Sequence, residues 1–369
     1  MKILLLANHF NAGGITTCLL TLGKGYVDRG HEVFIASSGG GCVAQAESLG
    51  IRHLAVPALA VKCEAHPALL SAVRRVSRLV RRQGVDILHA NTRVTQVVSA
   101  ACAGMTGRPY VSTCHGFFKP RLSRLLFPLW GRRAIAISRP VADHLVRDLH
   151  VPEARVTCVP NGIDPVCFKP VIPPERKTLR ESFGLDAAAP VVGMLARLSD
   201  VKGHVYLIEA MDALRGRVPG VICLLVGEGP MEERLKAMVA ARGLEQTVLF
   251  WRITGRPQEI LPVFDVFAMP SLQEGLGLSA MEAAACGIPV VASRAGGLVE
   301  AVLDGTTGFL VPVKDPAALT AALEKLLADK ELAQRFGCAG RARIMADFSA
   351  DTMVAKTLDV YRKAVVARA

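Results

Sequence analysis

Two carboxylates, Glu274 and Glu282, stand eight residues apart in Ser271-Leu-Gln-Glu-Gly-Leu-Gly-Leu-Ser-Ala-Met-Glu-Ala-Ala-Ala-Cys-Gly-Ile-Pro-Val-Val-Ala-Ser293. The pattern predicts an apolar strand ending near Pro270, a glycine-containing turn, and a helix from about Leu278. The free N–H groups and the positive end of such a helix point into the loop and make a seat for a diphosphate. Glu274 in the loop and Glu282 in the first turns of the helix can face one crevice and accept hydrogen bonds from vicinal sugar hydroxyls. Carboxylates at this spacing also arise by chance, and helix N-termini favour Glu for electrostatic reasons, so the pair alone does not specify a site.

Cations follow a second apolar strand, in Val192-Gly-Met-Leu-Ala-Arg197-Leu-Ser-Asp-Val-Lys202-Gly-His204. Arg offers a fixed fork and Lys a mobile point charge, and together on a diphosphate they would neutralise the charge that grows on a leaving group. The competing reading is a solvated loop with incidental cations. Gly227, in Leu225-Val-Gly-Glu-Gly-Pro230, would let backbone approach a nucleotide, although a Gly-x-Gly is usually only a turn. Near the start, Asn11-Ala-Gly13-Gly14-Ile-Thr16 follows the first strand and opens a helix. It lacks the full Gly-x-Gly-x-x-Gly fingerprint, which argues against nicotinamide binding. His115 ends a strand in Val111-Ser-Thr-Cys-His-Gly116; His89 and His9 are weaker site candidates.

The Glu274 to Ala292 run closely resembles the donor-binding signature of family 4 glycosyltransferases of the GT-B type, and the Gly193 to Gly203 run looks like that family's Gly-x-x-x-Arg-Leu-x-x-x-Lys-Gly segment. The resemblance extends to most of the chain. It implies that Glu282 holds the nucleotide ribose, that Glu274 contacts the donor sugar, and that backbone amides of Gly275, Leu276, Gly277 and Leu278 contact sugar and phosphate. It further implies that Arg197 and Lys202 hold the diphosphate, that Gly13 and Gly14 approach the donor phosphate or acceptor, and that His115 contacts the donor sugar. The activity implied is retaining, metal-independent transfer of a hexosyl unit from a nucleotide diphosphate-sugar, with no cofactor and no settled protein nucleophile. The family's Phe-x-Gly near the base is Phe250-Trp251-Arg252 here, so base preference does not carry over. Trp251 could stack on the base or pack against its own domain.

These residues need rigid strands to hold them. Short apolar runs alternate with amphipathic stretches, as in βαβ units around parallel sheets. Strands are predicted near 2–8, 32–37, 52–56, 86–90, 109–113, 133–137 and 155–159, then near 190–195, 221–226, 247–250, 265–268, 288–292 and 308–311. Helical spacing occupies 14–29, 67–83, 203–217, 231–242 and 315–328. The Pro-rich passage from Asp164 to Pro174 marks 163–188 as an interdomain linker. The fold class is therefore α/β, two Rossmann-like domains: 1–164 for acceptor binding and 165–348 for nucleotide-sugar binding. The resemblance places them face to face across a cleft, with 349–369 as a C-terminal helix returning to the first domain.

Composition bounds the rest. A 369-residue chain, 51% hydrophobic and 21% charged, excludes a disordered protein. The opening Met-Lys-Ile-Leu-Leu-Leu-Ala-Asn is too short and interrupted for a signal peptide, and no run of 18 apolar residues predicts a membrane span. The ten cysteines are scattered without a Cys/His cluster, against zinc or a disulfide framework. Residues 1–164 carry 20 Lys/Arg against 9 Asp/Glu, whereas 165–369 carry 24 against 23, so the basic character belongs to the first half. Arg74, Arg75, Arg78, Arg81 and Arg82 share one helix face, and Phe117–Arg133 interleaves cations with Phe, Leu and Trp130. Such segments suit anionic lipid headgroups and a lipid-linked or saccharide acceptor, at the cytoplasmic inner face of the cell membrane. The first segment could equally be a solvated helix face.

The expected role is hexosyl transfer in cell-envelope glycan synthesis, with UDP-sugars favoured over GDP-mannose. One alternative is a UDP-sugar 2-epimerase of similar architecture, which needs no acceptor. The other is a basic nucleic-acid-binding protein, disfavoured by the near-neutral second half.

Overall fold

The computed structural model describes residues 1–61, 63–252 and 256–366. The chain forms two compact units, one of Met1–Gly162 together with the segment from Ala350 onward, the other of Ile163–Ser349.

The first unit is built on seven parallel strands: β1 (Lys2–Leu6), β2 (Glu32–Ser37), β3 (Arg52–Ala55), β4 (Ile87–Ala90), β5 (Tyr110–Cys114), β6 (Arg133–Ala136) and β7 (Val156–Cys158). Their order is β3-β2-β1-β4-β5-β6-β7. Strands covered on both faces must be apolar throughout, and Ile3 to Leu6 are all fully buried. The period of two sends Leu4 and Leu6 toward Val76, Val80 and Val98, and Ile3 and Leu5 toward Leu19, Tyr26, Leu358 and Tyr361. The last two of these residues lie on the helix Ala350–Val366, so the chain end completes the core of the unit in which it began.

That helix reaches the sheet through a buried polar chain. The Tyr361 hydroxyl stands 2.6 Å from His89 Nδ1 and 3.3 Å from the Tyr26 hydroxyl, while His89 Nε2 stands 2.6 Å from Thr113 Oγ1. Burial pushes the His89 imidazole down to about 3. With both nitrogens engaged in the core, His89 is a structural residue; its reading as a site candidate is corrected. His9 is exposed, and its Nδ1 accepts a 3.5 Å hydrogen bond from Asn11 N–H.

Six parallel strands form the second unit: β8 (Val191–Leu195), β9 (Ile222–Val226), β10 (Val248–Trp251), β11 (Val266–Met269), β12 (Val290–Ser293) and β13 (Gly308–Val311), in the order β10-β9-β8-β11-β12-β13. Both sheets therefore reverse strand order beside their first strand, at β1/β4 and at β8/β11. Open α/β sheets bind ligands outside the carboxyl ends of the strands at such a switch point. The linker expected over 163–188 is corrected. Residues 163 onward belong to the second unit, and Pro173–Ser182 is a helix whose two leading prolines sit where the missing N–H costs nothing. Arg176 and Arg180 on it meet the two carboxylate oxygens of Asp265 at 2.8 and 2.7 Å, and the buried Arg180 also donates to the Ala187 and Ala189 carbonyls.

Two surface features of the first unit were expected to be cationic and apolar. The helix Leu69–Gln83 exposes Arg74, Arg75, Arg78, Arg81 and Arg82 and buries Val76 and Val80. The short helix Leu122–Leu126 exposes Leu122 (70%), Leu126 (63%) and the following Phe127 (62%). Trp130, expected to be exposed with them, is buried to 3%; its indole belongs to the unit's interior, and this part of the expectation is corrected.

Candidate functional site

In the second unit, adjacency of β8 and β11 brings the loops that follow them together, and Leu272 N–H donates to the Val201 carbonyl at 2.8 Å to join them. Lys202, on the first loop, places Nζ 2.5 Å from Glu274 Oε2 on the second. The pair is largely shielded, and the other oxygen of Glu274 accepts from Gly275 N–H at 3.2 Å. The family resemblance assigns Lys202 and Glu274 to different parts of a ligand; the fold makes them neighbours. A cation and a carboxylate so close can separate onto a ligand that offers an anion to one and hydroxyls to the other.

The helix Leu278–Ala285 begins directly after Gly277, so its unpaired N–H groups open onto the same loop. One turn in, Glu282 is 4% exposed, and no hydrogen bond or ion pair reaches its carboxylate from the described residues. Burial alone pushes its pKa up to about 8. A carboxylate held dry without a donor is costly, and a vicinal diol presents the two O–H donors it lacks. Arg197 is exposed and has no ion-pair or hydrogen-bond partner among the described residues. Its five N–H donors are available to an anion.

Gly227, after β9, has φ +145°, and a Cβ there would meet the Ala196 carbonyl oxygen at 2.1 Å. Its glycine is required by contact with the loop carrying Arg197. Gly297, which the sequence reading passed over, has a similar role: its N–H donates to the Glu274 carbonyl at 3.0 Å, and a Cβ would strike the Gly275 carbonyl oxygen at 2.2 Å. The signal was present as Gly296-Gly297 just beyond the apolar run Val290–Ser293. Also passed over were Ser271 and Ser293, whose buried hydroxyls have no partner. Trp251 is partly exposed and packs edge-on against Phe183 with ring centroids 5.0 Å apart, so it does pack within its own unit. Of the segment assigned to the base, Ile253, Thr254 and Gly255 lie outside the described residues.

In the first unit, His115 follows β5 and Asn91 follows β4. His115 Nε2 lies 3.0 Å from Asn91 Oδ1, which orients the ring, and desolvation pushes its pKa down to about 4. The imidazole is neutral at physiological pH. Asn91 carried no sequence signal of its own; its buried amide also donates to the Leu6 and His89 carbonyls. Gly13 caps the helix Gly14–Val27 with φ +156°, and a Cβ on it would meet nothing within 4 Å, so space is open above the turn. Among the described residues no group of three or more His, Cys, Asp or Glu side chains comes together to hold a metal ion.

Comparison with known proteins identifies the family. A family described as "Glycosyl transferases group 1" matches residues 175–343, and one described as "Glycosyltransferase Family 4" matches residues 12–166. The GDP-mannose-dependent alpha-(1-6)-phosphatidylinositol monomannoside mannosyltransferase of Mycolicibacterium smegmatis is 44% identical over 201 residues, spanning about half (52%) of this chain and 52% of the relative. The 2-deoxystreptamine N-acetyl-D-glucosaminyltransferase of Streptomyces fradiae is 31% identical over 391 residues, covering 96% of this chain and 91% of that protein. The crystal structure of Anabaena Alr3699/HepE in complex with UDP-glucose superposes with a TM-score of 0.86 at 25% identity, covering 98% of this chain and 100% of that one. The chain belongs to the group 1, family 4 glycosyltransferases and has their GT-B architecture of two Rossmann-like domains.

Proposed function

We propose that this glycosyltransferase moves a hexosyl unit, with retention and without a metal ion, from a nucleotide diphosphate-sugar to a lipid-linked or polysaccharide acceptor of the cell envelope. The observation that carries the reading is the buried, unpartnered carboxylate of Glu282, one turn into the helix that follows the loop of the Lys202–Glu274 pair. Glu282 receives the ribose hydroxyls. Lys202 turns from Glu274 to the diphosphate, joined by Arg197 and the amides of Gly275 to Leu278, and Glu274 is released to the hydroxyls of the sugar.

The bond from the sugar's anomeric carbon to the phosphate oxygen breaks as the acceptor oxygen bonds to that carbon on the same face. The acceptor's proton passes to the departing phosphate. No protein nucleophile is required, and catalysis rests on position and on charge stabilisation of the leaving group. His115, neutral and oriented by Asn91, accepts from the sugar through Nδ1 without exchanging a proton with solvent. UDP-sugars are the favoured donors. Anabaena Alr3699/HepE, similar over its whole length, is described with UDP-glucose, while the mannosyltransferase relative is named for GDP-mannose.

The acceptor side is assigned to an anionic membrane surface on the cytoplasmic side. The Arg face of Leu69–Gln83 and the exposed Leu122, Leu126 and Phe127 support it. No helix among the described residues is long and apolar enough to cross a membrane.

The test is release of nucleotide diphosphate from a panel of UDP-, GDP- and ADP-sugars, with EDTA present and with an acceptor fraction added. Acceptor-dependent release from a UDP-sugar in EDTA is expected. Loss of all turnover in EDTA, restored by a divalent cation, would reject the metal-independent reading.

A further inference from the structure

The first unit carries a second concave site, far along its strands from His115. A cavity of about 690 Å³ opens where Arg108, Arg132, Arg133, Arg155, Lys363 and the ring of Tyr110 meet. Tyr110 and Arg133 are the first residues of β5 and β6, and Arg155 directly precedes β7. Because the strands are parallel, the cavity lies at their amino ends, whereas His115 and the Gly13–Gly14 turn follow carboxyl ends. It is therefore separate from the site proposed for glycosyl transfer.

Five cations converge on this cavity and its lining holds no carboxylate. Two are partly compensated from outside it: Arg108 by Asp86 at 3.7 Å and Lys363 by Asp359 at 2.7 Å. The other three have no ion-pair partner among the described residues. Arg132 and Arg133 are not loose surface side chains. Arg132 donates to the Ala364 carbonyl at 2.8 Å at the end of the C-terminal helix, and Arg133 to the Ala154 carbonyl at 2.7 Å, so backbone fixes where each guanidinium points. One N–H of each is thereby used, leaving four donors on each for a ligand. Like charges gathered around a concavity repel one another unless an anion joins them. The volume is that of a small-molecule site, and forked donors held in place match phosphate oxygens better than a mobile ammonium does.

We infer that this cavity is a binding site for a phosphate ester carrying at least two negative charges, its phosphate on Arg132, Arg133 and Arg155 and its organic body against Tyr110. The same chemistry is offered by a soluble metabolite and by a phospholipid headgroup, and soluble and vesicle-borne probes distinguish the two.

Hydrogen–deuterium exchange of the full chain tests this, with tripolyphosphate as the soluble probe and vesicles of phosphatidylglycerol as the lipid source. Protection of 107–110, 131–133 and 154–156 by millimolar tripolyphosphate is expected. The probe also reaches the Lys202 loop, so calorimetry on K202A isolates the second site. In that background R155S/R133S should weaken binding by about tenfold or more. The inference is overturned if wild-type protein shows no protection of these segments at saturating probe, if only the vesicles protect them, or if the folded R155S/R133S form binds as tightly as its parent.

Discussion

Lys202 Nζ and Glu274 Oε2 are 2.5 Å apart, and the two residues come from different strand–loop junctions of one sheet. In the proposed reaction each has its own substrate group, so the ion pair is the resting form of two binding elements. It protects both from solvent until the donor arrives and separates them. Replacing Lys202 by Ala should lower kcat/KM by about a hundredfold or more, because it removes charge stabilisation of the leaving diphosphate. E274A should be comparably damaging. The double variant should fall well short of the product of the two losses, since each single change leaves the other charge without its partner. Steady-state kinetics on the four proteins with EDTA present decides it; full K202A turnover under those conditions would reject the assignment.

Glu282 gives a prediction that reads binding and stability separately. E282Q keeps the shape but puts an amide N–H2 where a carboxyl oxygen could accept from a hydroxyl, and it cannot ionise when a diol arrives, so donor KM should rise by about 10- to 100-fold with a smaller change in kcat. Stability moves the other way. A carboxylate whose folded pKa is raised from 4.5 to about 8 keeps its proton in the native state while the unfolded chain gives it up. Stability from this group is thus fully present below about pH 4.5 and is lost as pH rises to 8. The loss is at most about 4 kcal/mol between pH 5 and 8. His89, His115 and His204 act oppositely: their lowered pKa values, about 3, 4 and 4, make stability fall as pH drops below 6.5. Wild-type Tm should therefore peak near neutrality, and E282Q should abolish the alkaline decline while leaving the acid limb.

All thirteen strands were legible; in central ones such as Ile3–Leu6 or Val290–Ala292, burial on both faces demands apolar runs. The helices at Arg93–Thr106, Arg139–Arg147 and Lys330–Asp347 were not read, although each begins with a side-chain cap, from Thr92, Ser138 and Asp329. The first of them is mixed in character, with Val94, Thr95, Gln96, Val98 and Ser99 all buried, so no clean apolar stripe announces it. Pro173-Pro174 reads as a linker in sequence because proline at a helix start and proline in a loop look alike without the Asp265 partner, which comes some 90 residues later. At the candidate site, Lys202, Glu274 and Glu282 were legible by type. Asn91 and Gly297 were not, since their importance lies in which neighbour they touch.

His115 yields a pH test. With its pKa pushed down to about 4, the ring stays neutral from pH 5.5 to 9, so its titration should not shape kcat/KM over that range. Asn91 holds the ring through Oδ1, which requires an N–H at Nε2. N91D would place a carboxylate there and raise the imidazole pKa, so an acid limb should emerge above pH 5 in the variant's profile. A profile identical to wild type, with the variant folded, would mean that the contact does not govern the ring.

The membrane assignment divides into charge and apolar insertion, which are separable. In the proposed contact, exposed Arg74, Arg75 and Arg78 would provide long-range attraction, screened by salt, while Leu122, Leu126 and Phe127 would bury area in the interface. Co-sedimentation with vesicles containing phosphatidylglycerol should fall steeply with ionic strength for wild type. R74E/R78E should lose most binding at low salt, and L122S/F127S should retain low-salt binding but lose what persists at high salt. Absence of wild-type binding to anionic vesicles would count against both segments.

The last prediction concerns the chain end. The helix Ala350–Val366 is held by apolar burial of Met353, Val354 and Leu358 and by the Tyr361 hydroxyl, which lies between His89 and Tyr26. Y361F removes one oxygen and almost no volume, yet leaves His89 Nδ1 buried without a partner. The expected cost is about 1–3 kcal/mol, visible as a lower denaturation midpoint with an unchanged slope. A companion H89F change, which removes the group that needs the bond, should make the Tyr361 substitution nearly neutral in that background. If Y361F costs the same with and without His89, the hydroxyl acts through Tyr26, and the bond to His89 does not tie the returning helix to the sheet.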